Sequence, residues 1–203
     1  MIISLTLLFR LFLYLYLHQH SLTAFITIST SANTLLVPSE YSTIQLAIHR
    51  CNNGDTIIVS PGTYLENINF LGKNIVLTSI DPQNPEIVSS TIINGYGSGS
   101  AVSFINNESR NAVITGFTIS GGYGTINPEI QEGIYWGAGI YCFNSSPTIK
   151  GNIISNNNGP MKVENNQLVA LSYGVGISSL FPLHSLLRQV DCFRFSWDHC
   201  YWQ

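Results

Sequence analysis

An all-β chain of short strands wound into stacked coils, a solenoid opened by one short helix, is the fold class this sequence predicts. Three observations predict it: a composition rich in strand and turn residues but poor in charge, short apolar runs punctuated by turns, and an internal repeat. Of 203 residues only 9% are Asp, Glu, Lys or Arg, and 45% are apolar. Soluble domains average about 25% charged residues. The 25 Ile favour strands, while 19 Asn, 23 Ser and 17 Gly favour turns. Helical bundles and coiled coils, which need Ala, Glu, Lys and Leu in quantity, are excluded. The frequent Ile and Val argue against disorder through the middle of the chain. A formal net charge of −3 offers no basic field to nucleic acid and no polybasic patch to anionic lipid.

The first element is a leader. Ile2 to Leu17 is apolar apart from Ser4, Thr6 and Arg10, shorter and more interrupted than the about 20 apolar residues of a membrane span. It fits the apolar region of a secretory signal, with Leu22-Thr23-Ala24 or Thr30-Ser31-Ala32 as cleavage site, although no basic segment precedes it. Residues 1–32 are therefore expected to be a signal peptide and the protein secreted or at the cell surface. An uncleaved anchor or a mis-assigned start are the alternatives, and membrane contact is expected only through this leader. None of Cys51, Cys142, Cys192 and Cys200 forms a CxxC pair, so no zinc or other metal site is expected. In an exported protein Cys192 can pair with Cys200, while Cys142 reads as a small buried apolar residue.

Residues 33–54 form an N-terminal cap with one amphipathic helix. Ser42 with Gln45 three residues later makes a capping box. Ile44, Ala47, Ile48 and Cys51 then make a single apolar stripe, and Asn52-Asn53-Gly54 stops the helix. From residue 55 to 159 the period changes to that of strands. Thr56–Val59 is a strand, Ser60–Thr63 a turn and Tyr64–Phe70 a second strand. Leu71-Gly72-Lys73 turns into a third, Asn74–Thr78. Short strands continue at Thr91–Ile93, Ala101–Ile105, Ala112–Ser120, Gly139–Phe143 and Thr148–Ser155, with no second helical pattern between them. Ile114–Ser120 aligns with Ile149–Ser155, and each is preceded by a matching strand, Ala101–Ile105 and Gly139–Phe143. Such a repeat favours a solenoid over a sandwich, because one unit cannot bury its apolar face alone and stacking supplies the core.

These residues resemble the right-handed parallel β-helix superfamily, the pectin-lyase-like proteins. The resemblance is carried by Ser42 to Ile48 (Ser-Thr-Ile-Gln-x-Ala-Ile), Gly54 to Val59 (Gly-Asp-Thr-Ile-Ile-Val) and Pro61 to Ile68 (Pro-Gly-Thr-Tyr-x-Glu-Asn-Ile). It covers Val37 to Gly159 and implies that the helix plugs the open end of the first coil. A weaker likeness to pectin methylesterases rests on Gly62, Tyr64 and Glu66. Their catalytic Gln-Asp-Thr and Asp-Phe-Ile-Phe-Gly motifs do not occur in this chain. Nor do the paired aspartates and Gly-His-Gly of polygalacturonases, or the arginine motif of pectate lyases; Arg110 is the only arginine among the repeats. No catalytic residue and no cofactor is therefore expected.

Two groups of residues remain as candidate sites. Glu66 alternates in phase with Tyr64, Ile68 and Phe70, which turns it inward. It reads as a structural acceptor for turn amides beside Pro61-Gly62 in preference to a catalytic acid, because it lacks a partner for acid/base work. Asp55 reads likewise as a turn or cap acceptor. The inserted stretch Gly122–Trp136 carries Tyr123, Glu129, Glu132, Tyr135 and Trp136, whose flat rings and acids suit a sugar-binding loop. The alternative is a solvated loop with its aromatics packed down. Glycan hydrolysis would need two carboxylates about 5 to 9 Å apart, a role for which Glu129 and Glu132 are weak candidates. Asp81 and Glu86 are an unconvincing calcium pair. Asn107-Glu108-Ser109 and Asn144-Ser145-Ser146 match the glycosylation pattern, but asparagine ladders at bends explain them better.

From residue 160 to 203 the coil pattern fails, and the chain ends in Phe193, Phe195, Trp197, Tyr201 and Trp202. Either Leu180–Val190 folds over the last coil, or the frame is disrupted or truncated, which is the preferred expectation. The functional expectation is an exported, non-catalytic module that binds polysaccharide or serves at a cell surface, with no nucleic-acid partner and an open oligomeric state. A fragment of a polysaccharide lyase, pectinesterase or glycoside hydrolase, and a structural spacer or adhesin segment, are the alternatives.

Overall fold

The computed structural model describes residues 8–14, 31–127, 129, 133–164, 167–170, 172–174 and 176–180. The chain divides into two units, Met1–Ser31 and Ala32–Gln203. In the first, residues 8–14 are helical (α1) with every side chain exposed. Among the described residues no helix is long and apolar enough to cross a membrane.

The second unit opens with β1 (Thr34–Val37), a strand not expected from the sequence, and α2 (Ile44–Arg50). The predicted stripe of Ile44, Ala47, Ile48 and Cys51 is buried. The start of α2 differs from the expected capping box. Thr43, one residue later than Ser42, is the N-cap and accepts from Leu46 N at 3.1 Å. Gln45 is turned away onto the Asn69 backbone, donating to its carbonyl at 3.1 Å and accepting from its amide at 2.8 Å. The other early amides are taken from a distance: the Glu66 carboxylate accepts from Ile44 N at 3.0 Å and Gln45 N at 2.9 Å. At the far end Lys73 Nζ donates to the carbonyls of Ile48, His49 and Cys51 at 2.6, 2.9 and 2.8 Å. A cation there satisfies orphan carbonyls and complements the helix dipole.

There follow β2 (Thr56–Val59), β3 (Gly62–Leu65), β4 (Ile68–Asn69), β5 (Val76–Ser79), α3 (Pro85–Ser90) and β6 (Thr91–Asn94). The segment Tyr64–Phe70, expected as one strand, is thus split between two strands in different sheets. The chain bends at Glu66 and Asn67 because both side chains are committed elsewhere. Glu66 holds α2, and Asn67 Nδ2 donates to the carbonyls of Ser98 and, at 2.9 Å, Ser100. Helix α3 overturns the expectation of a single helix. It is too short to display an apolar period, yet its start is locally encoded: Asn84 caps Glu86 N at 2.9 Å, Pro85 opens the first turn and Glu86 faces the positive end.

Next come β7 (Val102–Phe104), β8 (Val113–Thr115), β9 (Thr118–Ser120), β10 (Thr125–Ile126), β11 (Tyr135–Trp136), β12 (Ile140–Phe143), β13 (Thr148–Lys150) and β14 (Ile153–Ile154). Among the described residues there follow β15 (Met161–Glu164), β16 (Gln167–Ala170), β17 (Ser172–Tyr173) and β18 (Ile177–Leu180). Three sheets are parallel throughout, with orders β1-β2-β5-β8-β13, β3-β6-β9-β14 and β4-β7-β12-β18. From β2 on the chain enters them in rotation, first, second, third and back to the first. The unit is therefore mostly β, with parallel strands and few helices, an arrangement compatible with a β-helix-like solenoid.

Register turns the rotation into a core. Leu35, Ile57, Leu77, Ile114 and Ile149 are successive partners across the first sheet, and all are buried. Tyr64, Ile93, Ile119 and Ile154 form the matching ladder in the second sheet. Ile68, Val102 and Ile140 do so in the third, where Phe70 and Phe104 also pack with centroids 4.2 Å apart. Each fully buried aliphatic contributes about 1.5–3 kcal/mol. The internal repeat is seen directly: Ile114 lies beside Ile149, Thr118 beside Ile153 and Val102 beside Ile140. Its two glycines, Gly116 (φ 83°) and Gly151 (φ 59°), turn the chain from the first sheet to the second in a backbone region that favours glycine.

Past Pro160 the chain forms an antiparallel hairpin, β15 with β16, and then returns to the third sheet through β18, which pairs with β12. Ile177–Leu180 thus adds a strand to the third sheet within the stretch where the sequence shows no coil pattern. The expectations for Leu180–Val190 beyond its first residue, the terminal aromatics and the Cys192–Cys200 pair lie outside the described residues.

Candidate functional site

The insertion between β9 and β12 is a second hairpin, β10 antiparallel to β11, with β17 alongside β11. Its base is anchored by backbone and hydroxyls. Tyr123 N and Gly124 N both donate to Gly99 O, at 2.7 and 3.0 Å. The Thr125 hydroxyl meets Ser100 Oγ at 2.8 Å, and Ser100 Oγ also donates to Trp136 O at 3.3 Å. Further out, Asn127 Nδ2 donates to the Tyr141 hydroxyl at 2.9 Å while Asn127 Oδ1 accepts from Glu129 N at 3.0 Å. Tyr141 is buried, and that burial raises its pKa, so it stays protonated and serves as a fixed post for the loop.

Two of the five residues expected here come together. Tyr123 and Tyr135 meet edge to face, centroids 5.5 Å apart at 80°; Trp136 follows Tyr135 on β11, where successive side chains point to opposite faces. Tyr123 is 37% exposed, while Tyr135 and Trp136 are half-buried. Glu129 is exposed at the turn, and Glu132 lies outside the described residues. The hairpin thus presents the edge-to-face Tyr123–Tyr135 pair beside its turn.

The second group lies along β3 and at the bend that follows it, the same corner of the cycle that carries the hairpin in a later turn of the chain. Tyr64 is buried, donates its hydroxyl to Ser60 O at 2.8 Å, and is raised in pKa by burial and then by the charge of Glu66. Gly62 opens β3 beside Thr91. Glu66 takes the first amides of α2, where the sequence suggested the turn beside Pro61-Gly62. Asp55 accepts from Asn52 N at 2.7 Å and Asn33 N at 2.8 Å, and those amides hold its carboxyl below the usual range.

Other polar residues were hidden from sequence reasoning. Glu108, noticed only inside a glycosylation pattern, is a buried carboxylate that accepts from Gly72 N, Asn106 N and Ser145 Oγ at 2.8, 2.8 and 2.7 Å. It ties three bends together, and a carboxylate in an Asn/Ser run was the only signal for it. Asn107 and Asn144 are exposed at positive φ. The asparagine ladders run through other residues, Asn53 to Asn74 and Asn69 to Asn106. Cys142 is a buried free thiol whose pKa is pushed up by burial and by the charge of Glu108. Among the described residues no group of three or more His, Cys, Asp or Glu could hold a metal ion.

Comparison with known proteins gives no match to any family model, curated protein or solved structure.

Proposed function

We propose that this chain is an exported right-handed parallel β-helix of the pectin-lyase-like kind that binds polysaccharide without catalysis. The aromatic hairpin supports this reading more than any other feature. Tyr123 and Tyr135 pair on a loop, which also carries Trp136, held by Gly99, Ser100 and Tyr141 at the side of a stack of strands. A loop on a rigid scaffold is where binding residues concentrate. The leader supports export, and the N-terminal motifs support the family reading.

Glycan-array binding and pull-down on insoluble polysaccharides test the proposal with wild type, Tyr123→Ala and Trp136→Ala. Truncating a central aromatic costs about 2 kcal/mol or more of binding energy, roughly thirtyfold in affinity. Thermal melts of the same variants separate lost binding from lost fold. Equal binding by wild type and Tyr123→Ala, or none by either, sinks the hairpin as a binding site. Release of reducing sugar or of unsaturated product from a polysaccharide panel would replace the module with an enzyme.

A further inference from the structure

A shallow concavity of about 560 Å³ lies where the chain enters the first parallel sheet. Asn53, Asn74, Arg110 and Asn111 line it, and Val76 and Val113, partners across that sheet, line it with them. Its polar chemistry is one-sided. Asn53 Oδ1 accepts from Asn74 N at 2.8 Å, and Asn74 Oδ1 accepts from Ser109 N and Ser109 Oγ at 2.9 and 2.8 Å. The oxygen of each side-chain amide is therefore engaged along the ladder, leaving its NH₂ group to donate elsewhere. The Arg110 guanidinium and the Asn111 side chain make no hydrogen bond among the described residues; their contacts are through backbone groups.

The neighbouring acids do not neutralise this donor set. Glu108 is buried and turned onto Gly72, Asn106 and Ser145, and Asp55 is buried and turned onto Asn33 and Asn52. Lys73 is occupied by three carbonyls of α2. An open guanidinium flanked by amide donors, with Asn111 free to turn its NH₂ toward a ligand, selects for oxygen anions. We propose that this concavity binds an oxyanion, the sulfate or carboxylate group of a larger ligand, with Arg110 as its charged contact and Asn74 and Asn53 as neutral donors. Strands of one sheet lie about 4.8 Å apart, so donors on successive strands reach different oxygens of one bound group or of its neighbour. The valines offer an apolar floor to the body that carries it. The site is separate from the aromatic hairpin and does not depend on it.

Isothermal titration of the full chain with sodium sulfate, sodium acetate, a sulfated oligosaccharide and a carboxylated oligosaccharide tests the assignment. Arg110→Gln removes the charge. Asn74→Asp keeps an oxygen for Ser109 while replacing the outward donor by a second oxygen. Wild type is expected to bind at least one oxyanion probe, more weakly as salt rises. Each variant, with an unchanged melting curve, is expected to lose about tenfold or more in affinity. The sulfated and carboxylated arms identify which group is carried. No binding of any probe by wild type, or equal binding by Arg110→Gln, overturns the proposal. So does loss of oxyanion binding in Tyr123→Ala, which would place the ligand at the hairpin instead.

Discussion

Glu66→Ala removes the carboxylate that receives the first two amides of α2, 3.0 Å from Ile44 N and 2.9 Å from Gln45 N. Hydrogen bonds to a charged group contribute about 1.5–3 kcal/mol each. Glu66 is half-buried, so water can replace part of what is lost, and the low end of that range applies. The Thr43 cap remains, and two bonds to one carboxylate are not additive. A net loss of about 2–3 kcal/mol is expected for Glu66→Ala. Glu66→Gln keeps one acceptor oxygen but loses the second and the favourable charge at the helix start, itself about 0.3–1 kcal/mol, so about 1–2 kcal/mol is expected. For a chain of this size each kcal/mol moves Tm by about 2–4 °C. Urea unfolding followed by circular dichroism, with linear extrapolation, measures both variants, and the ranking Ala below Gln below wild type is the signature. Coincident midpoints for wild type and Glu66→Ala would show that α2 does not need this carboxylate. A polysaccharide-cleaving rate lost in Glu66→Gln at unchanged stability would make Glu66 catalytic.

Asn157 is buried, its Oδ1 accepting from Gly122 N at 3.0 Å and its Nδ2 donating to Ile119 O and Ser155 O at 3.0 and 3.1 Å. Asn157→Ala strands those backbone groups away from water and should lower unfolding free energy by about 2–4 kcal/mol in the same denaturant assay; a change below about 0.5 kcal/mol counts against that. Asp55 sets an acid limit. The Asn52 and Asn33 amides lower its folded pKa from 3.8, so the unfolded chain binds more protons than the folded one in that range. Its contribution is complete above the unfolded value and is lost as pH falls through the folded one. Melting curves collected downward from pH 5, with Asp55→Asn as control, should show part of the wild-type loss missing in the variant, and parallel pH dependence would dismiss the role.

Legibility followed the range of the interactions. The Ile44–Cys51 stripe, the strands at Thr56–Val59 and Ile140–Phe143, and the pairing of Ile114–Ser120 with Ile149–Ser155 could be read because neighbours along the chain or an internal copy encode them. The Tyr123–Tyr135 pair of the hairpin came from residues the sequence grouped in one insertion. What escaped was long-range. Nothing local distinguishes Glu66 bound to α2 from Glu66 bound to its own turn, or marks Glu108 as buried. Helix α3 had a start signal in Asn84-Pro85-Glu86, but six residues are too few for a period.

A charge-poor composition, the change from helical to strand period and the repeat were sufficient to say that this chain stacks aliphatic ladders, because burial preference and periodicity are properties of the residues themselves. Folding settled where each buried polar group finds its partner: Glu66 on α2, Lys73 on its last carbonyls, Asn152 and Asn157 between neighbouring strands. Those partners lie on different turns of the chain. A side chain's hydrogen-bonding capacity is written in its identity, but the group that meets it is chosen only when distant strands come into register.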